Sequence, residues 1–167
     1  MASQSAITSR NIIPSGIKAF TDMLGPVNLD FVGGKYETAT EYLATHNVTN
    51  LVFDPFNRDE IHNLTVMHQV HSTGCNSITC LNVLNVIDAP EREAIYRHLL
   101  SIFKAKGCNT LIFQVYVGNG SGIPEFTDSV NQNNLKLTTY FCEVLTHFAS
   151  YDVRKSMGKY IIVTKND

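Results

Sequence analysis

Strand-like runs alternating with helical stretches predict a doubly wound α/β domain, a three-layer and mostly parallel sheet that ends in an antiparallel hairpin. Three observations carry that expectation. Apolar, β-branched runs at residues 27–31, 50–54, 77–83 and 110–117 alternate with segments whose apolar residues recur at helical spacing. The first two runs stop at turn formers, Gly33-Gly34 and Pro55. Two last runs, 151–154 and 160–164, flank Gly158 at hairpin distance.

Each element has a local reason. Residues 1–12 read as a loose tail and 13–167 as one domain. Pro14 and Gly16 precede a short helical stretch at 17–23, closed by Gly25-Pro26. A helix over 38–46 puts Ala39, Tyr42 and Leu43 on one apolar stripe. The segment 59–70 reads as a helix with Ile61 and Leu64 inward, Met67 and His68 beside them. Pro90 opens a long helix, with Glu91 and Glu93 where the helix dipole favours acids. Its apolar face is Ile95, Leu99, Ile102 and Phe103. Residues 110–117 form the strongest strand, followed by a glycine-rich loop and a helix over 131–148.

Composition excludes several classes. The chain has 167 residues, 44% of them hydrophobic, enough to bury a core without disulfides or metal. Its formal charge of −2 and pI near 6.3 leave no global basic footprint for nucleic acid, although a local basic patch stays open. No apolar run approaches the ~20 residues that span a bilayer. Met1-Ala2-Ser3-Gln4-Ser5 lacks the features of a signal peptide, so a cytoplasmic location is expected. Cys75, Cys80, Cys108 and Cys142 have no CxxC spacing and read as free thiols, mostly buried.

The motif with most chemical content is Asp30-Phe31-Val32-Gly33-Gly34-Lys35. A strand ending in adjacent glycines lets backbone approach a ligand at the carboxyl edge of a sheet. Asp54, followed by Pro55 and Phe56, ends the next strand about 20 residues on, where an acid can accept from both hydroxyls of a ribose. The plainer alternative is a tight turn, with Asp54 capping a helix. A second motif is the strand 77–83 running out into Asn82 and Asn85. Asn82 would stand at the carboxyl edge and orient a ligand through its amide; alternatively, the two asparagines close a turn before the Pro90 helix.

In this order, the 30–35 loop, Asp54-Pro55-Phe56, Asn82-Val83-Leu84-Asn85-Val86-Ile87 and Pro90-Glu91-Arg92 resemble class I S-adenosylmethionine-dependent methyltransferases. The chain is most similar to a small group of them found in bacteriophages and bacterial DNA-modification loci. The resemblance covers most of the chain from residue 27 onward. It implies a Rossmann-like methyltransferase fold with S-adenosylmethionine as cofactor. By that resemblance cofactor binding falls on Asp30, Gly33, Gly34 and Asp54, with Asn82 near the methyl group. Val32, Lys35, Pro55 and Phe56 are counted with the cofactor site as neighbours in the same motifs, and Asn82, Asn85 and Tyr116 are the candidate catalytic residues. Val32 stands where most relatives carry a third glycine. The Asp/Asn-Pro-Pro-aromatic motif, a Lys-Asp-Lys-Glu set and a Pro-Cys nucleophile are missing from the sequence. Tyr116, Asp88 and the His68/His71 pair are candidate general bases by position. The methyl acceptor stays open among small molecules, protein and nucleic acid, and an oligomer stays open too.

Other readings stand beside this one. A binding or structural protein on a decayed methyltransferase fold is the main alternative, and an NAD-type enzyme lacks its GxGxxG. Gly118-Asn119-Gly120-Ser121-Gly122 after the strongest strand is expected to be a mobile loop over the site rather than a nucleotide cradle. His62, His68, His71, Cys75 and Cys80 match no zinc spacing, so no metal is expected. Gln132, Lys136 and Tyr140 would share one helix face, read as its solvated side.

Overall fold

The computed structural model describes residues 12–127 and 130–165; the tail expected over 1–12 lies outside them apart from Ile12. The elements in chain order are α1 (Ser15–Phe20), a 3₁₀ turn (Thr21–Met23), β1 (Val27–Phe31), α2 (Thr38–Ala44) and β2 (Thr49–Phe53). Next come α3 (Glu60–Thr73), β3 (Ser77–Leu81), a 3₁₀ turn (Leu84–Val86), α4 (Ala89–Phe103) and β4 (Thr110–Gln114). The chain closes with β5 (Glu125–Thr127), β6 (Val130–Gln132), α5 (Leu137–His147), β7 (Asp152–Ser156) and β8 (Tyr160–Thr164).

Six strands form one sheet in the order β2-β1-β3-β4-β8-β7, with β5 and β6 paired separately. The first four neighbours are parallel; β8 runs antiparallel to β4 and to β7. The expected architecture is therefore observed, terminal hairpin included. That hairpin turns through Met157 and Gly158, both left-handed at φ 52° and 71°. The chain leaves β1 for β2 on one side and then crosses to β3 on the other. The sheet's switch point thus lies at the carboxyl ends of β1 and β3. No helix among the described residues is long and apolar enough to cross a membrane.

The two faces are covered differently. Leu29, Phe31, Ile78, Cys80, Leu111, Phe113, Ile161 and Val163 pack under α3, α4 and α5. Tyr96 and Phe148 meet Phe113 with ring centroids 6.0 and 6.4 Å away. Arg92 ties α4 to α5 through a two-pronged pair with Glu143, at 2.9 and 3.0 Å. The opposite face packs Ile112, Tyr160 and Ile162 against Ile17 and Phe20 of α1. Under α1 and α2, however, β1, β2 and β3 present Asn28, Asp30, Asn50, Ser77 and Thr79, all buried. Of the cysteines, 75, 80 and 108 are buried and Cys142 is exposed, all as free thiols.

Two helix expectations are corrected. On α3 the inward residues are Asn63, Val66 and Val70, whereas Ile61 and Leu64 are 78% and 63% exposed. The cause is the open edge of β2. The Asn63 amide accepts from Asp54 N–H and donates to Asp54 C=O, each at 2.9 Å, and the His62 ring contacts Val52 C=O at 2.7 Å. Serving that edge rotates the helix away from its apolar pair, and it blunts a strand that would otherwise invite pairing. The helix expected over 131–148 begins only at Leu137, because 130–132 pair as β6 and Lys136 is the N-cap. Gln132, Lys136 and Tyr140 therefore share no helix face.

Candidate functional site

At the end of β1 the backbone turns sharply. Val32 adopts φ 57° and donates its N–H to Phe53 C=O at 2.6 Å. That left-handed conformation is unfavourable for a β-branched residue and is the one a glycine adopts without strain. The position lacking the third glycine is thus the strained one. Gly33 follows directly against Asp30: a Cβ there would lie 2.7 Å from the Asp30 Cγ and Oδ2 and 3.0 Å from Val52. Only glycine fits.

Asp30, Gly33 and Gly34 line an open cleft of about 40 Å³ together with Tyr36, Thr38, Ala39 and Leu81, with Ile12 and Pro14 of the N-terminal segment beside them. Room for roughly three waters admits the small end of a ligand; the rest would follow the open sheet edge. Asp30 is buried, and burial pushes its carboxyl up to about 6. Donation from Asn50 and Thr79 and the nearby Arg58 oppose that rise, while Asp54 adds to it.

The second acid is committed elsewhere. Asp54 Oδ2 accepts from Gly34 N–H and the Asn57 amide at 2.8 and 2.9 Å. Its Oδ1 accepts from the N–H groups of Phe56 and Asn57 at 2.9 and 3.1 Å. Four donors fill the four acceptor positions of a carboxylate. In this structure Asp54 clasps the glycine loop to the β2 loop with all four acceptor positions occupied, and the cap of α3 is Asp59 rather than Asp54. Arg58 completes the clasp from its Nε to Gly34 C=O at 2.8 Å, and it pairs with Glu37. Asp30, by contrast, accepts from Thr79 at 3.1 Å and from Asn50 at a long 3.4 Å. Among the described residues no further side chain donates to it, which leaves acceptor capacity on the cleft side.

The remaining predicted residues disperse. Asn82 is exposed and left-handed at φ 58°, a conformation asparagine tolerates, with its N–H on Gln114 C=O at 2.8 Å. Asn85 does not stand beside it. Its side chain is 1% exposed, donates to Gln132 Oε1 at 2.7 Å, and leaves its own Oδ1 unpartnered. Asn133 fastens the same turn by donating to Leu84 C=O and Ile87 C=O at 3.1 and 2.7 Å. Asn85 thus ties the 3₁₀ turn to β6 and lies away from Asn82. Tyr116 is half exposed beyond β4. Lys35 is exposed with its Nζ 5.3 Å from the Tyr36 ring centroid, and Pro55 and Phe56 lie on the exposed β2 loop. Asp88 caps α4 through Glu91 N–H at 2.9 Å. His68 and His71 lie on the exposed side of α3. No group of three His, Cys, Asp or Glu among the described residues is placed to hold a metal ion.

Arg58, Asn63 and the buried polar neighbours of Asp30 under α2 were missed in the sequence. A signal for the last existed in the alternation Asn28-Leu29-Asp30-Phe31 and Ser77-Ile78-Thr79-Cys80, polar on one face of each strand.

No protein-family model matches the chain, and no curated protein does. Solved structures do. Over 92% of its length the chain is similar to an O-methyltransferase family protein from Burkholderia thailandensis, at 17% identity and TM-score 0.58. Over 91% it is similar to a candidate O-methyltransferase from Nostoc punctiforme PCC 73102, at 13% identity and TM-score 0.52. A DhpI–SAM–HEP complex matches over the full length of both chains, at 11% identity and TM-score 0.50. The chain spans 56% of each of the first two proteins. At such identities the likeness shows the fold, which is the Rossmann-like methyltransferase fold.

Proposed function

We propose that the chain is an S-adenosylmethionine-dependent methyltransferase whose donor site is the cleft at the carboxyl ends of β1 and β3. The observation that carries this reading is the approach of Gly33 backbone to a buried, cleft-facing carboxylate at the switch point, where a Cβ would collide at 2.7 Å. Asp30 offers its free acceptor positions to the ammonium end of the donor. Gly33 and Gly34 admit backbone contact, and Asp54 and Arg58 hold that loop in shape. The bound donor supplies an activated methyl group on a sulfonium, so the protein's share is alignment and, where the acceptor needs it, proton removal. Asn82 and Tyr116, at the exposed ends of β3 and β4, border the side from which an acceptor would enter.

Isothermal titration with S-adenosylmethionine and S-adenosylhomocysteine tests the reading. Both are expected to bind, and Gly33→Ala is expected to weaken them at least tenfold while the circular dichroism spectrum is kept. Flat titrations of folded wild-type chain would favour the second reading, a binding protein on a decayed methyltransferase fold. The filled acceptor positions of Asp54 and the burial of Asn85 speak for that alternative.

A further inference from the structure

We propose that Asn28, Asn50 and Thr79 are positioning residues that hold the Asp30 side chain as a fixed carboxylate turned to the cleft. For its ligand this rests on the donor-site reading above; for the charge state of Asp30 it stands alone.

The argument is one of hydrogen-bond direction. Register places Asn28 beside Asn50 and Ser77, and Asp30 beside Thr79, on one face of three adjacent strands. Ser77 Oγ lies 2.8 Å from the Asn28 amide oxygen and 2.9 Å from Leu24 C=O, and shares its one proton between these two acceptors. In the orientation the Asn28 amide adopts, both of its protons are committed, one to Asn50 Oδ1 and one to Thr79 Oγ1, each at 2.9 Å. Asn50, its oxygen taken, turns its NH₂ toward Asp30 Oδ2 at 3.4 Å and Thr40 Oγ1 at 3.2 Å. Thr79, its oxygen taken, has its one proton left for Asp30 Oδ1 at 3.1 Å. The orientation of a single buried amide thereby aims a donor at each oxygen of Asp30. A carboxylate accepts both at full strength, whereas protonation turns one of the two oxygens into a hydroxyl, a weaker acceptor for its donor.

The charged and titratable groups around Asp30 pull in both directions. From the β2 loop, Asp54 opposes ionisation and Arg58 favours it. Cys80, on β3, stays a thiol because burial and the nearby Asp30 both push its titration up. Tyr36 and Thr38 border the cleft without charge at neutral pH. The ladder is therefore the part of the environment built from neutral groups alone, and it can be cut without altering net charge.

The test is a ¹³C NMR titration of the Asp30 carboxyl in the full, ligand-free chain. Thr79→Val is expected to move its midpoint upward by half a pH unit or more, and Thr79→Ser to restore it. Should Thr79→Val not fold, Asn50→Ala removes the other donor and is expected to shift the midpoint in the same direction. An unmoved midpoint in a folded variant overturns the proposal. A second arm follows S-adenosylhomocysteine affinity against pH. Wild type is expected to gain affinity as pH rises through about 6, and Thr79→Val to gain it later by the same interval. Absent binding to wild type sinks the donor-site reading, while the NMR midpoint still judges the ladder.

Discussion

The two faces of the central sheet solve opposite problems. Beneath α3, α4 and α5 the strands present apolar side chains throughout, and aromatic rings stack edge-on around Phe113. Beneath α2 the same strands present amides, hydroxyls and one acid in a buried hydrogen-bonded ladder. The first face gains stability from every residue it buries. The second holds a group whose charged form burial disfavours, at the point where the sheet can receive a ligand. A fold can carry such a site because the stabilising face lies one residue away along each strand.

Deleting the centre of the apolar face should produce the largest effect. Phe113→Ala is expected to cost about 3–5 kcal/mol in urea unfolding, since the ring is fully buried between Tyr96 and Phe148. A loss below 1 kcal/mol would mean that this face does not dominate stability.

The polar face predicts a change of opposite sign. Asp30 titrates near 6 in the fold and near 3.8 without it. Between those values the native chain binds a proton that the unfolded chain has released. Its contribution to stability therefore falls as pH rises through that window and stays low above it. Asp30→Asn is expected to raise stability by about 1–3 kcal/mol at pH 7.5 and to leave it nearly unchanged below pH 4. Urea midpoints at the two pH values check this, and equal differences at both would contradict it. The same variant should lose S-adenosylhomocysteine binding, so stability and function would separate at one residue.

The smallest expected effect sharpens the contrast where α3 breaks the apolar rule. Asn63→Ala leaves the Asp54 N–H and C=O without their side-chain partner at the sheet edge and is expected to cost about 1–2 kcal/mol. Asn63→Leu, which adds apolar surface at the same place, should not recover that loss. If it did, the inward turn of α3 would owe nothing to the edge.

Much of this was legible in the residue order. Apolar, β-branched runs and the turn formers that end them located the main strands, and the Pro90 and Gly25-Pro26 signals located helix boundaries within a few residues. The turn at Gly33 and Gly34 beside Asp30 was legible because adjacent glycines after an apolar run end a strand. The phase of α3 was not, since apolar period alone favours Ile61 and Leu64, and the demand for Asn63 arises only beside β2. Strands β5 and β6 span three residues each, too short for a period to register. Asn82 and Asn85 looked like a pair, but the 3₁₀ turn between strand and helix sends one to solvent and the other under the hairpin.

The sequence by itself determined the alternation of elements, the glycine turn after β1 and the acid that precedes it, because these depend on neighbours along the chain. Only the tertiary structure decided which acid keeps free acceptor positions. Asp30 and Asp54 are equivalent as residues at strand ends. Four donors gathered from the glycine loop and the β2 loop saturate Asp54, whereas among the described residues two donors from neighbouring strands leave Asp30 with acceptor capacity toward the cleft. Hydrogen-bond capacity is set by what lies within reach in space. Three of the Asp54 donors lie two or three positions along the chain and the fourth, Gly34, lies 20 away, whereas strand register brings the Asp30 donors from 20 and 49 positions away.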